Sequence, residues 1–151
     1  MNSPLHDTCR STAEEEIRAL LERRMEAVRR QDLETIMAGY TPDVRAFDTI
    51  GQLQYQGIEA YRQHWRNCIG TCQGPIVMEM AEPHIEAAEA LAFAHWLCRC
   101  GCADPDGEVK AAWMRASACL RKVGGQWKIA HEHWSVPLDV ESGRAQLELV
   151  P

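Results

Sequence analysis

Near its C-terminal end the chain carries His131-Glu132-His133, two imidazoles one residue apart around a carboxylate. Imidazole titrates near neutral pH, so such a pair can pass protons or hold a substrate by hydrogen bonds. Histidines two apart on a strand can also share one metal, with a third ligand from Asp48 or His95. A third reading is structural, with both rings satisfied by Ser135, Arg115 or backbone groups. Strand alternation puts Trp127, Ile129, His131, His133 and Ser135 on one face, and Lys128, Ala130, Glu132 and Trp134 on the other, unless a bulge intervenes. The face that begins with Trp127 and Ile129 reads as the inner one. It aims both histidines inward and assigns Glu132 to an interface or a salt bridge. On the preceding strand Trp113, Arg115, Ser117 and Cys119 share a face, which sets a cation and an indole beside the histidines if it too turns inward.

Cysteine is the other unusual feature: seven residues, at 9, 68, 72, 98, 100, 102 and 119. Cys98, Cys100 and Cys102 share one face of a strand, whereas structural zinc sites favour closely spaced pairs on turns. They read as small buried hydrophobes rather than ligands. Trp65 and Trp113 suit the walls of an apolar pocket, or simply the core. His6, His64 and His84 fall at exposed or irregular positions and suggest no chemistry. Arg23, Arg24, Arg29 and Arg30, interleaved with Glu14, Glu15, Glu16, Glu22 and Glu26, read as a solvated helix face with i, i+4 pairs.

The elements that must position these groups fall in a clear order. Ser11 and Thr12 followed by Glu14 and Glu15 resemble a helix cap, and Ile17, Leu20, Leu21, Met25 and Val28 keep one helical face. A short second helix runs from an Asp32 cap through Leu33, Ile36, Met37 and Tyr40, with Thr41-Pro42-Asp43 as its stop. A strand over 44–49 and a turn lead to a third helix carrying Ile58, Tyr61, Trp65, Cys68 and Ile69. Extended segments then cover 76–85, 90–101, 108–121 and 126–136, separated by Asp104-Pro105-Asp106-Gly107 and Gly124-Gly125 turns. Helices first and antiparallel strands afterwards predict an α+β domain.

A chain of 151 residues, 46% hydrophobic and 25% charged, suits one globular domain. A net charge of −6 argues against nucleic acid as partner. No apolar run approaches the roughly 20 residues that cross a bilayer, and no signal peptide is evident, so neither a membrane nor export is expected. The expected location is cytoplasmic, where thiols stay reduced.

The ordered set of segments resembles the nuclear-transport-factor-2-like superfamily, in its SnoaL-like and ketosteroid-isomerase-like branch. The resemblance rests on Arg30-Gln31-Asp32-Leu33, Arg45-Ala46-Phe47-Asp48 with Gly51, Gln56-Gly57-Ile58-Glu59-Ala60-Tyr61, Trp113-Met114-Arg115-Ala116-Ser117, and Gly124 through Pro137. It implies a cone: a curved, mostly antiparallel sheet packed against about three N-terminal helices around an internal pocket. It also implies a homodimer through the sheet, and no metal or cofactor. Residues 1–10 would be a flexible tail, 11–139 the cone domain and 140–151 a C-terminal extension.

Asp48 occupies a position similar to the general-base aspartate of the ketosteroid isomerases, although the same residue could equally cap a turn. Those isomerases pair the base with a tyrosine and a protonated aspartate as oxyanion hole. Arg24 and Ser117 stand at those positions here, so steroid isomerisation by that machinery is not expected. The expectation is a cofactor-independent isomerase, cyclase or hydratase acting on a small hydrophobic carbonyl compound. Asp48 would be the base, His133 or His131 the acid, and Arg115 the anion stabiliser. Trp65, Trp113, Tyr40, Ser135 and Ser117 would bind the substrate. The alternative is a non-catalytic dimeric ligand-binding or protein-association module, which a cone filled by its own side chains would favour. A metal-dependent enzyme built on His131 and His133 is the remaining alternative.

Overall fold

The computed structural model describes the backbone from Pro4 to Pro151 and the side-chain environments from Thr12 onward. Helix α1 (Pro4–Arg29) begins well before the Ser11/Thr12 cap, with proline at its first position, where the missing N–H costs nothing. Of the expected tail, residues 1–3 lie outside the described residues. Ala13, Ile17, Leu21, Met25 and Val28 form the buried stripe of α1, and Arg24 lies in that stripe with 2% of its surface exposed. The expectation that Arg24 belongs to a solvated face is therefore wrong.

Helix α2 (Leu33–Ala38) is capped by Asp32, whose carboxylate accepts the Thr35 backbone N–H at 3.1 Å. It ends before Tyr40, because strand β1 (Tyr40–Phe47) starts there and runs through Pro42. The pairing of β1 is irregular between Tyr40 and Arg45, so Pro42 sits where no ladder N–H is required. A short β2 (Tyr55–Gln56) leads into α3 (Ile58–Thr71), followed by the long strands β3 (Ile76–Ala87), β4 (Leu91–Ala103), β5 (Val109–Val123) and β6 (Gln126–Ser135). The six strands are ordered β2-β1-β6-β5-β4-β3, with only the β1–β6 pair parallel. This is the α+β cone, a curved and mostly antiparallel sheet with three helices. Beyond it, β7 (Leu138–Asp139) and β8 (Arg144–Ala145) form a separate small hairpin. Among the described residues no helix is long and apolar enough to cross a membrane.

One irregularity decides which residues face the helices. Leu120 pairs with Ile129 but Cys119 pairs with His131, so Ala130 is an extra residue in β6. A single inserted residue exchanges the faces of everything beyond it. Trp127 and Ile129 are buried before the bulge, and Glu132 and Trp134 are buried after it. His131 and His133 consequently turn to the outer face, contrary to the alternation without a bulge. On β5 the inward residues are Ala116, Ala118 and Leu120, so Trp113, Arg115 and Ser117 also face outward.

Candidate functional site

Helix α3, Val28 of α1 and the inner face of the sheet line an open cavity of about 820 Å³. That is the size range of small-molecule sites. Trp65, Ile69, Ile76, Met78, Met114 and Trp134 supply much of its apolar wall, and Asp48 and His64 are polar groups on it. Helix α3 delivers His64, Trp65, Cys68 and Ile69 on successive turns, which places them on one side of the helix. Asp48 follows directly on β1. Its Oδ1 accepts the Ile50 backbone N–H at 3.1 Å, which fixes the turn, and its Oδ2 lies 3.1 Å from His64 Nε2. One oxygen of Asp48 thus caps the turn, and the other faces His64 on the cavity wall.

His64 is buried, with 7% of its surface exposed. Tyr55 stacks on its ring at 4.1 Å between centroids, and the Tyr61 ring lies nearly parallel at 5.8 Å. Burial opposes the charge on this imidazole, but the contacts with Asp48 and Cys68 outweigh it and raise the pKa to about 9. His64 is therefore an imidazolium at neutral pH, facing Asp48. Gly51 supports it from the loop: at φ +87 it takes a left-handed conformation, and a Cβ there would collide with the Tyr55 hydroxyl.

Beneath Tyr61 lies a buried polar network. Arg24 Nη1 donates to Glu132 Oε2 at 2.7 Å, and the Tyr40 hydroxyl donates to Glu132 Oε1 at 2.7 Å. The Tyr61 hydroxyl donates to the same oxygen, and Arg24 Nη1 also reaches the Tyr40 hydroxyl. Trp96 and Trp134 stand about the guanidinium at 6.0 and 5.9 Å. Burial works against the charge on Arg24, but Glu132 raises its pKa further than burial lowers it. Burial and then the neighbouring Glu132 push the Tyr61 hydroxyl well above its ordinary range. Burial does the same to Tyr40. The network fixes the ring that backs His64, so it links the protein core to the site.

The cavity is also rich in sulfur. Cys68 and Cys72 come from α3 and its C-terminal end, and Cys100 and Cys102 come from β4 across the space. Cys98 and Cys100 sulfurs lie 3.3 Å apart, and each contacts the Met78 sulfur at 3.5 Å. That contact with Cys98, together with burial, raises the Cys100 thiol pKa. Burial and contact with Cys102 push Cys72 up to about 12. Among the described residues no group of three His, Cys, Asp or Glu side chains is arranged as a metal site.

Of the residues singled out in the sequence, Asp48 and Trp65 line the cavity. Tyr40 lies below it in the Glu132 network. His131 Nδ1 lies 2.6 Å from the Arg45 carbonyl oxygen, and Phe47 meets both His131 and His133 edge-on at 4.8 and 5.6 Å. Arg115 donates to Ser135 Oγ at 3.2 Å on the same outer face, near Ser117 and His133. His131, His133, Arg115, Trp113, Ser117 and Ser135 are thus separated from Asp48 by the thickness of the sheet. Two groups escaped the sequence reading. His64 lies on the Tyr61–Trp65–Cys68 stripe of α3, and Arg24 lies on the Leu21–Val28 stripe of α1, so helical periodicity could have found both.

Comparison with known proteins agrees with this geometry. A family model described as a SnoaL-like domain matches residues 17–139. No curated protein shows detectable similarity. Among solved structures, an NTF2-like protein of unknown function from Pseudomonas putida KT2440 is 48% identical, over 93% of this chain and 98% of that one, with a TM-score of 0.88. A ketosteroid isomerase-like protein from Erwinia carotovora atroseptica is 21% identical, over 81% of this chain and 94% of its own, with a TM-score of 0.68. The association domain of C. elegans CaMKII is 19% identical, over 85% and 98% of the two chains, with a TM-score of 0.68. These last two share the fold alone. On the match across most of its length, the chain belongs to the SnoaL-like branch of the NTF2-like superfamily.

Proposed function

We propose that the protein is a cofactor-independent acid–base enzyme acting on a small hydrophobic carbonyl compound, with Asp48 and His64 as its proton-transfer pair. The observation that carries this reading is an ion pair, 3.1 Å apart, on the wall of a mostly apolar 820 Å³ cavity. Strongly perturbed titratable groups in a cleft are characteristic of catalytic sites. Asp48 would take a proton from the carbon beside the carbonyl. The His64 imidazolium would protonate or hydrogen-bond the oxygen on which charge develops. His64 thereby assumes the acid role expected of His131 or His133 and the charge-stabilising role expected of Arg115. The stacked Tyr55 and Tyr61 rings hold its orientation. Isomerisation, cyclisation and dehydration all begin with these two transfers.

The test is exchange of the α-protons of cyclic and aryl ketones for deuterium, followed by NMR in D2O. Acceleration over buffer is expected with the native protein, with loss in Asp48→Asn and strong reduction in His64→Gln. If no ketone in such a panel exchanges faster than in buffer, the acid–base reading is withdrawn.

A second reading, association through the sheet, draws on the outer face. Phe93 is 44% exposed there, and Trp113 and Phe47 share the face. The homodimer implied by the family would use this surface, and sedimentation of the native protein beside Phe93→Asp tests it. A monomer in both would remove this reading. The two readings are compatible, because the cavity and the outer face lie on opposite sides of the sheet.

A further inference from the structure

The acid–base reading uses His64 and Asp48 but leaves one neighbour without a task. Cys68 lies one turn along α3 from His64, lines the same cavity, and places its sulfur 3.6 Å from His64 Nε2 and 3.8 Å from Nδ1. Three titratable groups, a carboxylate, an imidazole and a thiol, therefore meet in series at one wall of the cavity. A cation beside a thiol favours the thiolate, which is the nucleophilic form. Cys68 needs that help, because it lies in the last turn of α3, where the helix dipole opposes a negative charge. The other cavity thiols are differently placed: Cys72 meets Cys102 and Cys100 meets Cys98, sulfur against sulfur, and at Cys100 the contact with Cys98 and burial outweigh the charge of Arg24. Among the described cysteines only Cys68 contacts the imidazole.

From this juxtaposition we infer that Cys68 is a nucleophile that adds to α,β-unsaturated carbonyl compounds entering the cavity. The inference rests on the reading of the cavity as a site for hydrophobic carbonyl compounds. The Cys68 thiol releases its proton to water, leaving the thiolate beside the His64 imidazolium, and the sulfur electron pair forms a bond to the β-carbon. The π electrons move to the carbonyl oxygen as an enolate, and the imidazolium delivers a proton to the α-carbon and regains one from water. Thiol and alkene become a thioether, with no oxidant or reductant consumed. The reverse sequence releases the enone, so the adduct is a reversible resting state.

The experiment treats the native, reduced protein with cyclohex-2-enone and maps modified cysteines by peptide mass spectrometry over time. The internal reference is Cys119, an exposed thiol on the outer sheet face. Cys68 is expected to react at least tenfold faster than Cys119, and saturated cyclohexanone should slow Cys68 alone. In His64→Gln the Cys68 rate should fall at least tenfold while the Cys119 rate stays unchanged. If that variant fails to fold, the pH profile of the native protein replaces it. The Cys68-to-Cys119 ratio should then collapse as pH rises through about 9, where His64 loses its charge. Equal rates at the two cysteines, or a ratio insensitive to both His64 and pH, would overturn the inference. Adduct at Cys68 without ketone exchange would refute only the acid–base reading. Exchange without adduct would refute only the thiol.

Discussion

Glu132→Gln replaces one carboxylate oxygen by an amide nitrogen in a side chain with no exposed surface. The substitution keeps the volume and removes the charge that answers Arg24. Glu132 accepts from Arg24, Tyr40 and Tyr61, so three donors lose a charged acceptor at once. Removing one partner of a buried ion pair costs about 3–5 kcal/mol, because the remaining charge stays desolvated. Hydrogen bonds to charged groups are each worth about 1.5–3 kcal/mol, so the network is large enough to account for that loss. For a chain of 151 residues each kcal/mol moves the thermal midpoint by about 2–4 °C. The expected fall is therefore about 6–20 °C, read by circular dichroism and checked by urea titration. Arg24→Met combined with Glu132→Gln should cost clearly less than the two singles added, since neither charge is then stranded. A Glu132→Gln loss below about 1 kcal/mol, or strict additivity in the cycle, would show that Arg24 and Glu132 are not the coupled, desolvated pair described here.

Other outcomes follow from the same coordinates. The His64 pKa stands at about 9 in the folded chain against an ordinary 6.5, so its contribution is complete below 6.5 and is lost as pH rises through 9. The urea midpoint should accordingly fall between neutral pH and about pH 10, and Asp48→Asn should flatten that fall, because it removes the carboxylate that raises the pKa. Gly101→Ala would drive a Cβ into the Lys110 carbonyl and Ala111 on the adjacent strand β5. A loss of about 1–3 kcal/mol in chemical denaturation is expected for that overpacking, and a neutral outcome would contradict the close β4–β5 approach.

The fold was largely legible because periodicity survives substitution. The α3 stripe, the Asp32 cap and the turns at Asp104 and Gly124 each carry a local physical signature. The site was less legible for a single reason: a strand's faces depend on register, and a bulge leaves no mark in composition. With Ala130 inserted, His131 and His133 exchange faces with Glu132 and Trp134, and the candidate acids leave the cavity together. Arg24 illustrates a different loss. Charge suggested solvent, while its position between Leu21 and Val28 indicated burial, and the buried partner that reconciles the two lies more than a hundred residues away. The pairing of Asp48 with His64 joins a loop to a helix, and only tertiary packing brings them within reach.

The central claim is that Asp48 holds His64 as a buried imidazolium in the cavity. NMR titration of the six histidines, with the His64 signal assigned by its loss in His64→Gln, tests it directly. The account requires a His64 pKa near 9 in the native protein and a fall to or below 6.5 in Asp48→Asn. A His64 pKa near 6.5 in the native protein, unmoved by Asp48→Asn, would contradict it and remove the acid on which the proposed chemistry depends.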